Sequence, residues 1–250
     1  MANWPDPRTQ DPISGGFRGG AIGVDTQSAS FDAGLRSYML SVYNYMASGV
    51  LLTGLVAMLF ARSPAALNIL FGPGPLKYVI MFAPLGFVMV LSFGINKLST
   101  NAARGLFWAY SAVMGLSMAS IFLVYTGGSI AQTFFATSAA FAGLSLFGYT
   151  TKKDLSAFGT FLVMGVFGLL IAMVINIFLK STVMDLAISA IGVLIFAGLT
   201  AYDTQKIKSA YYQVAGTDFV GKSVVMGALT LYLDFVNMFM FLLRFMGNRD

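Results

Sequence analysis

LSAFGTFLVMGVFGLLIAMVINIFL, residues Leu155–Leu179, passes without one charged side chain and is apolar on every face. No solvent-facing stripe can be drawn on it, so as a helix it must lie in lipid or be buried all round. Roughly 20 such residues cross a hydrocarbon core of about 30 Å. Six more runs of the same kind lie around it: Tyr38–Phe60, Tyr78–Ile95, Gly105–Tyr125, a stretch from the TGGS turn at Thr126–Ser129 to Tyr149, a stretch following Lys180–Asp185 that ends near Asp203, and Val224–Met246. None alternates with period two, so helices, not a barrel, satisfy the backbone in lipid. The expected fold is all-α, a polytopic integral membrane bundle of seven transmembrane helices.

The short connections force sequential helices to run antiparallel. Arg62 and Pro64 are expected to stop the first span, and a longer polar loop, Thr204–Lys222, to precede the last. Residues 1–35, rich in Pro, Gly, Ser and Asp, are expected to form a flexible polar tail, leaving 36–250 as the membrane domain. The tail lacks the basic start and apolar centre of a secretory signal. No internal repeat suggests a transporter built from two inverted halves.

Composition closes off much chemistry. Hydrophobic residues make up 57% and charged residues 10%, with mean hydropathy +0.78, so the chain cannot cover itself with a polar surface. The net charge of +5 comes from single Lys and Arg residues between apolar runs, not a patch, which argues against nucleic acid. With no Cys and no His there is no disulfide, thiolate nucleophile, Ser-His-Asp triad, haem ligand or HExxH zinc site. All ten acidic residues are Asp. The abundant Met and Phe are packing and lipid-facing surface rather than a ligand box.

Basic residues set the expected orientation. With the amino terminus in the cytoplasm, that side holds Arg8, Arg18, Arg36, Lys97, Arg104, Lys152, Lys153, Lys206, Lys208 and Lys222, whereas the other side holds Arg62, Lys77, Lys180, Arg244 and Arg249.

An ionisable group inside a span costs about 2.5 to 3.5 kcal/mol on insertion scales, so it requires a partner, a proton or a wet cavity. Asp234 lies deep, about ten residues into the last span, with Thr230, Asn237 and Phe241 on its helical face. Asp203 ends the sixth span, where Lys206 offers an interfacial pairing. If the last two helices form an antiparallel hairpin, the carboxylates can approach, hold one proton between them, and sense pH. Deprotonated, they are hard oxygen ligands suited to Ca²⁺, though two carboxylates fall short of its six to eight oxygens. The drawn spans leave a mismatch: Asp234 is about 15 Å from the start of its helix, and Asp203 is at the interface. Contact requires one helix to extend or tilt.

The stretches GLTAYDTQKIKSAYY (Gly198–Tyr212) and ALTLYLDFVNMFMFLLRFMG (Ala228–Gly247) resemble the signature segments of the Bax inhibitor family, the transmembrane Bax inhibitor motif proteins. RSYMLSVYNYMASG, Arg36–Gly49, is similar to bacterial members. The resemblance implies seven helices, an inner-membrane location, and two aspartates in the last two helices that latch a Ca²⁺-leaking pore in a proton-sensitive way. The matching positions are Asp203 and Asp234. It also implies a basic latch residue at the pore mouth, for which Lys97 and Arg104 are the candidates, with Thr230, Tyr232 and Asn237 as surrounding or pore-lining groups.

Three readings follow. The first is a pH-sensitive cation leak without an enzymatic step or cofactor, Ca²⁺ being cargo. The second is a non-enzymatic regulator that binds other membrane proteins, such as a membrane protease, through its polar tail. The third, an intramembrane aspartyl protease, fits poorly: LTLYL precedes Asp234 where such enzymes carry GxGD, and no PAL follows. A rhomboid-type dyad needs a His.

Overall fold

A computed structural model describes residues 19–248. These form α1 (Gly19–Ala61), α2 (Pro64–Phe71), α3 (Leu76–Gly94), α4 (Thr100–Met118), α5 (Ile121–Val124), α6 (Gly127–Thr150), α7 (Ser156–Leu179), α8 (Thr182–Val214) and α9 (Val220–Met246). Among the described residues, seven helical stretches are long and apolar enough to cross a membrane, with α4 and α5 counted as one. The fold is the all-α membrane bundle that the apolar runs predict.

The first apolar stretch starts at Phe31, inside an α1 that is drawn from Gly19. Residues 1–18 of the polar segment lie outside the described residues.

Two boundaries differ from the sequence reading. Pro64 does not simply stop a helix: it begins α2, with Ser63 as N-cap accepting the Ala65 N–H at 3.2 Å. A proline at the first helical position loses no hydrogen bond, because that N–H has no intrahelical acceptor anyway. The polar stretch Thr204–Lys222 is not a long loop, since α8 continues to Val214 and only residues 215–219 separate it from α9. Gly216, at φ +77°, makes the turn in a region that other residues avoid. Polarity there ends the lipid-facing stretch, not the helix: Ile207 is buried, and Tyr211 packs on Phe31 and Tyr38 with ring centroids 5.2 Å apart.

α9 is the centre of the molecule. In its most apolar stretch 72% of residues are buried against protein, compared with 11% for α7, the most apolar of the seven. α1, α4, α6 and α8 surround it, while α7 packs on α8 at the periphery. In lipid an apolar side chain gains nothing by leaving the bilayer for the protein interior, so hydropathy marks the outside and packing shape marks the inside. Close fits hold the bundle. Gly192 lies against the Phe241 ring, where a Cβ would stand 2.6 Å away, and Gly148 backs directly onto the Ala201 carbonyl. Tyr232, Tyr110 and Phe107 fill the fully buried centre edge to face, with centroids 5.2 and 6.2 Å from Tyr232.

The α8–α9 pair is also tied at its far end. Asp185, in the first turn of α8, faces Arg244, in the last turn of α9, at 3.7 Å. Each charge opposes the helix dipole beside it.

Candidate functional site

α8 is 33 residues long, and its extension removes the depth mismatch between the aspartates. Ile207 packs on Gly227 and Phe241 on Gly192, which sets the antiparallel register of α8 and α9. Between those contacts Asp203 and Asp234 come within about a turn of level, and their carboxyl groups lie within hydrogen-bonding reach of each other. Asp203 is 8% and Asp234 4% exposed. Asp234 Oδ2 is buried without a hydrogen-bond donor. Two facing carboxylates offer only acceptors, so without a proton neither can satisfy the other.

The hydroxyls beside the pair are satisfied along their own helix: Thr204 donates to the Thr200 carbonyl at 2.7 Å, and Thr200 to that of Phe196 at 2.8 Å. Lys206 does not close an ion pair with Asp203; its ammonium sits over the Tyr202 ring, 5.9 Å from the centroid, and the side chain is exposed. Gln205 instead fixes the neighbouring loop. Its Oε1 accepts the Leu155 N–H at 2.9 Å and its Nε2 donates to the Lys153 carbonyl at 2.8 Å. In that loop the Ser156 hydroxyl, together with the Ser156 N–H that donates to Asp154 Oδ1 at 2.9 Å, holds the Asp154 carboxyl below its ordinary range.

The remaining residues singled out from sequence take other places. Thr230 donates to the Met226 carbonyl at 3.1 Å and Asn237 to that of Leu233 at 2.8 Å, both within α9, so neither bridges helices. Phe241 stacks on Phe196 of α8 at 5.8 Å. Tyr232 points to the opposite side of α9. Thr53 reaches the Gly49 and Ser111 carbonyls at 2.9 and 2.8 Å and the Tyr232 hydroxyl at 2.7 Å. With the one Thr53 proton given to a carbonyl, Tyr232 is the donor to Thr53. Lys97 is exposed, and Arg104 lies over the Tyr45 ring at 5.9 Å. Neither pairs with an aspartate among the described residues.

Sequence reading passed over Tyr43. This α1 residue brings its hydroxyl near Thr204, next to Asp203, and near Ser145 of α6. Nothing in the local sequence marks it out, because its role exists only where three helices meet. Lys208 enters the sequence reading only through its charge, yet its Nζ donates to the Tyr149 carbonyl at 2.8 Å and lies over the Tyr149 ring at 4.9 Å, joining α8 to α6.

The sequence profile described as "Inhibitor of apoptosis-promoting Bax1" matches residues 35–250. The chain belongs to the Bax inhibitor family. Among the proteins to which it is similar, the inner membrane protein YbhL of Escherichia coli is 48% identical over 219 residues, covering 87% of this chain and 94% of YbhL. An uncharacterized protein of Rickettsia prowazekii is 47% identical over 225 residues, covering 90% of this chain and 94% of its own length. One from Caulobacter vibrioides is 46% identical over 241 residues, covering 92% and 96%. This Bax inhibitor family member is an integral membrane protein in contact with lipid.

Proposed function

We propose that the protein is a pH-sensitive cation leak, with Ca²⁺ as the favoured ion, gated by Asp203 and Asp234. The observation that carries this reading is the facing of two buried carboxyl groups that form no ion pair among the described residues. With one proton between them the pair is satisfied and holds α8 to α9. Loss of that proton leaves two negative charges that repel each other and attract a cation. No third carboxylate joins them among the described residues, which suits transient passage of Ca²⁺ better than storage.

No catalytic step or resident cofactor enters this mechanism. The similarity to an inner membrane protein supports placement in a bacterial inner membrane, and the Lys and Arg distribution supports a cytoplasmic amino terminus. The Asp203–Asp234 end then faces the cytoplasm.

The test is Ca²⁺ entry into proteoliposomes between about pH 6 and 8, comparing wild type with Asp203→Asn and Asp234→Asn. Wild type is expected to leak in a pH-dependent way, and each variant to lose most of that dependence. Absence of flux at every pH rejects the leak. Unchanged pH dependence in both variants rejects the aspartate gate.

A further inference from the structure

Two apolar cavities, of about 660 and 440 Å³, share Val50, Leu51, Phe134 and Phe235 and so form one continuous groove. It runs between α1 and α6, and Phe235, Val236 and Phe239 of α9 contribute to its lining. Leu40, Leu51 and Leu146 on its walls are exposed, so it opens to the surrounding lipid. Among the described residues one charged side chain, Arg36, lines the groove, and it lies at one end.

We propose that this groove holds one acyl chain of an anionic phospholipid, with the phosphate at Arg36. The charge distribution selects the occupant. Arg36 is exposed and has no acidic partner among the described residues. Lys208 stands at the same end, over the ring of Tyr149, which lines the groove. Past this end the walls are hydrocarbon with few hydroxyls, among them Ser145, whose buried Oγ completes no hydrogen bond of proper geometry. From Arg36 to Leu51 along α1 is about 22 Å at roughly 1.5 Å per residue. That length takes an extended acyl chain from the interface past the bilayer midplane, about 15 Å down. A zwitterionic headgroup would bring its own cation towards Arg36, whereas a phosphate with no cation of its own is attracted to it, the Lys208 ammonium being already held by the Tyr149 carbonyl.

The test uses the full chain reconstituted with equal phosphatidylglycerol and phosphatidylcholine, released into mild detergent, and weighed with its retained lipid by native mass spectrometry. Wild type is expected to keep one phospholipid, favouring phosphatidylglycerol by about fivefold, the effect of one interfacial cation. Arg36→Gln is expected to keep the lipid but lose the preference. Ala47→Trp combined with Ala142→Trp, which fills the groove from both walls, is expected to keep none, while Ile177→Trp on the exposed face of α7 keeps it. Equal retention of the two lipids by wild type overturns the proposal, as does retention by the double variant or a second copy of the chain in place of lipid. Should the double variant fail to fold, the headgroup preference of Arg36→Gln decides.

Discussion

Asp203 of α8 and Asp234 of α9 face each other inside the bundle, each more than nine-tenths buried, with Asp234 Oδ2 lacking a donor. An amide at position 203 supplies an N–H to that oxygen at any pH. Asp203→Asn is therefore expected to be more stable than wild type at pH 8 by about 1 kcal/mol, a rise in Tm of about 2 to 4 °C. The gain shrinks as pH falls and the wild-type pair takes up a proton of its own. Thermal unfolding of both proteins in the same detergent at the two pH values reads this out, and a variant less stable at pH 8 contradicts the facing geometry.

Tyr232 is fully buried and bonded to Thr53 of α1. Tyr232→Phe removes the 2.7 Å hydrogen bond to Thr53 and leaves the ring in place. The expected cost is about 0.6 kcal/mol, the scale of interhelical hydrogen bonds in membranes, with the pH dependence of ion flux unchanged. A variant that flattens the pH profile places Tyr232 in the ion path after all.

Gly148 sits where α6 meets the backbone of α8, against the Ala201 carbonyl. A methyl group there has no flexible neighbour to displace, so Gly148→Ala forces the helices apart at a cost of about 1 to 3 kcal/mol. Gly143→Ala, on the same helix with open space beside it, is expected to be neutral or mildly stabilising. Comparing the two Tm values separates close packing from helix propensity.

Asp154 gives a pH dependence of opposite origin. Its carboxylate is held below its ordinary range by the Ser156 hydroxyl and, less, by the Ser156 N–H. The contribution is therefore fully present above about pH 4, the unfolded value, and is lost as pH falls through the lower folded value. Asp154→Ala is expected to lower Tm at pH 7 and to lose less on acidification from pH 5 to 3 than wild type. Parallel Tm curves for the two proteins reject the cap.

Lys97 and Arg104 stand outside the aspartate pair, one exposed and the other over Tyr45. Replacing either by Gln is expected to leave the pH midpoint of Ca²⁺ flux where it is. A shift of about one pH unit assigns that residue to the latch despite its position.

The amino-acid sequence by itself determined the number of membrane helices, their order and the residues able to carry charge inside the bilayer. These follow from local rules: a helix must satisfy its own backbone in lipid, and a carboxylate there is too costly to be incidental. The same rules drew α8 too short, because a switch from apolar to polar residues marks the edge of the membrane and says nothing about where hydrogen bonding along the backbone stops. Tertiary structure alone decided that α9, not the more apolar α7, is the centre, that Asp203 and Asp234 meet, that Tyr232 turns away from them, and that Tyr43 of α1 comes near Thr204 and Ser145. Each of these depends on the fit of small and large side chains between helices far apart in the chain, such as Gly192 under Phe241. In lipid, where burial of apolar surface no longer separates inside from outside, that fit is what chooses the neighbours.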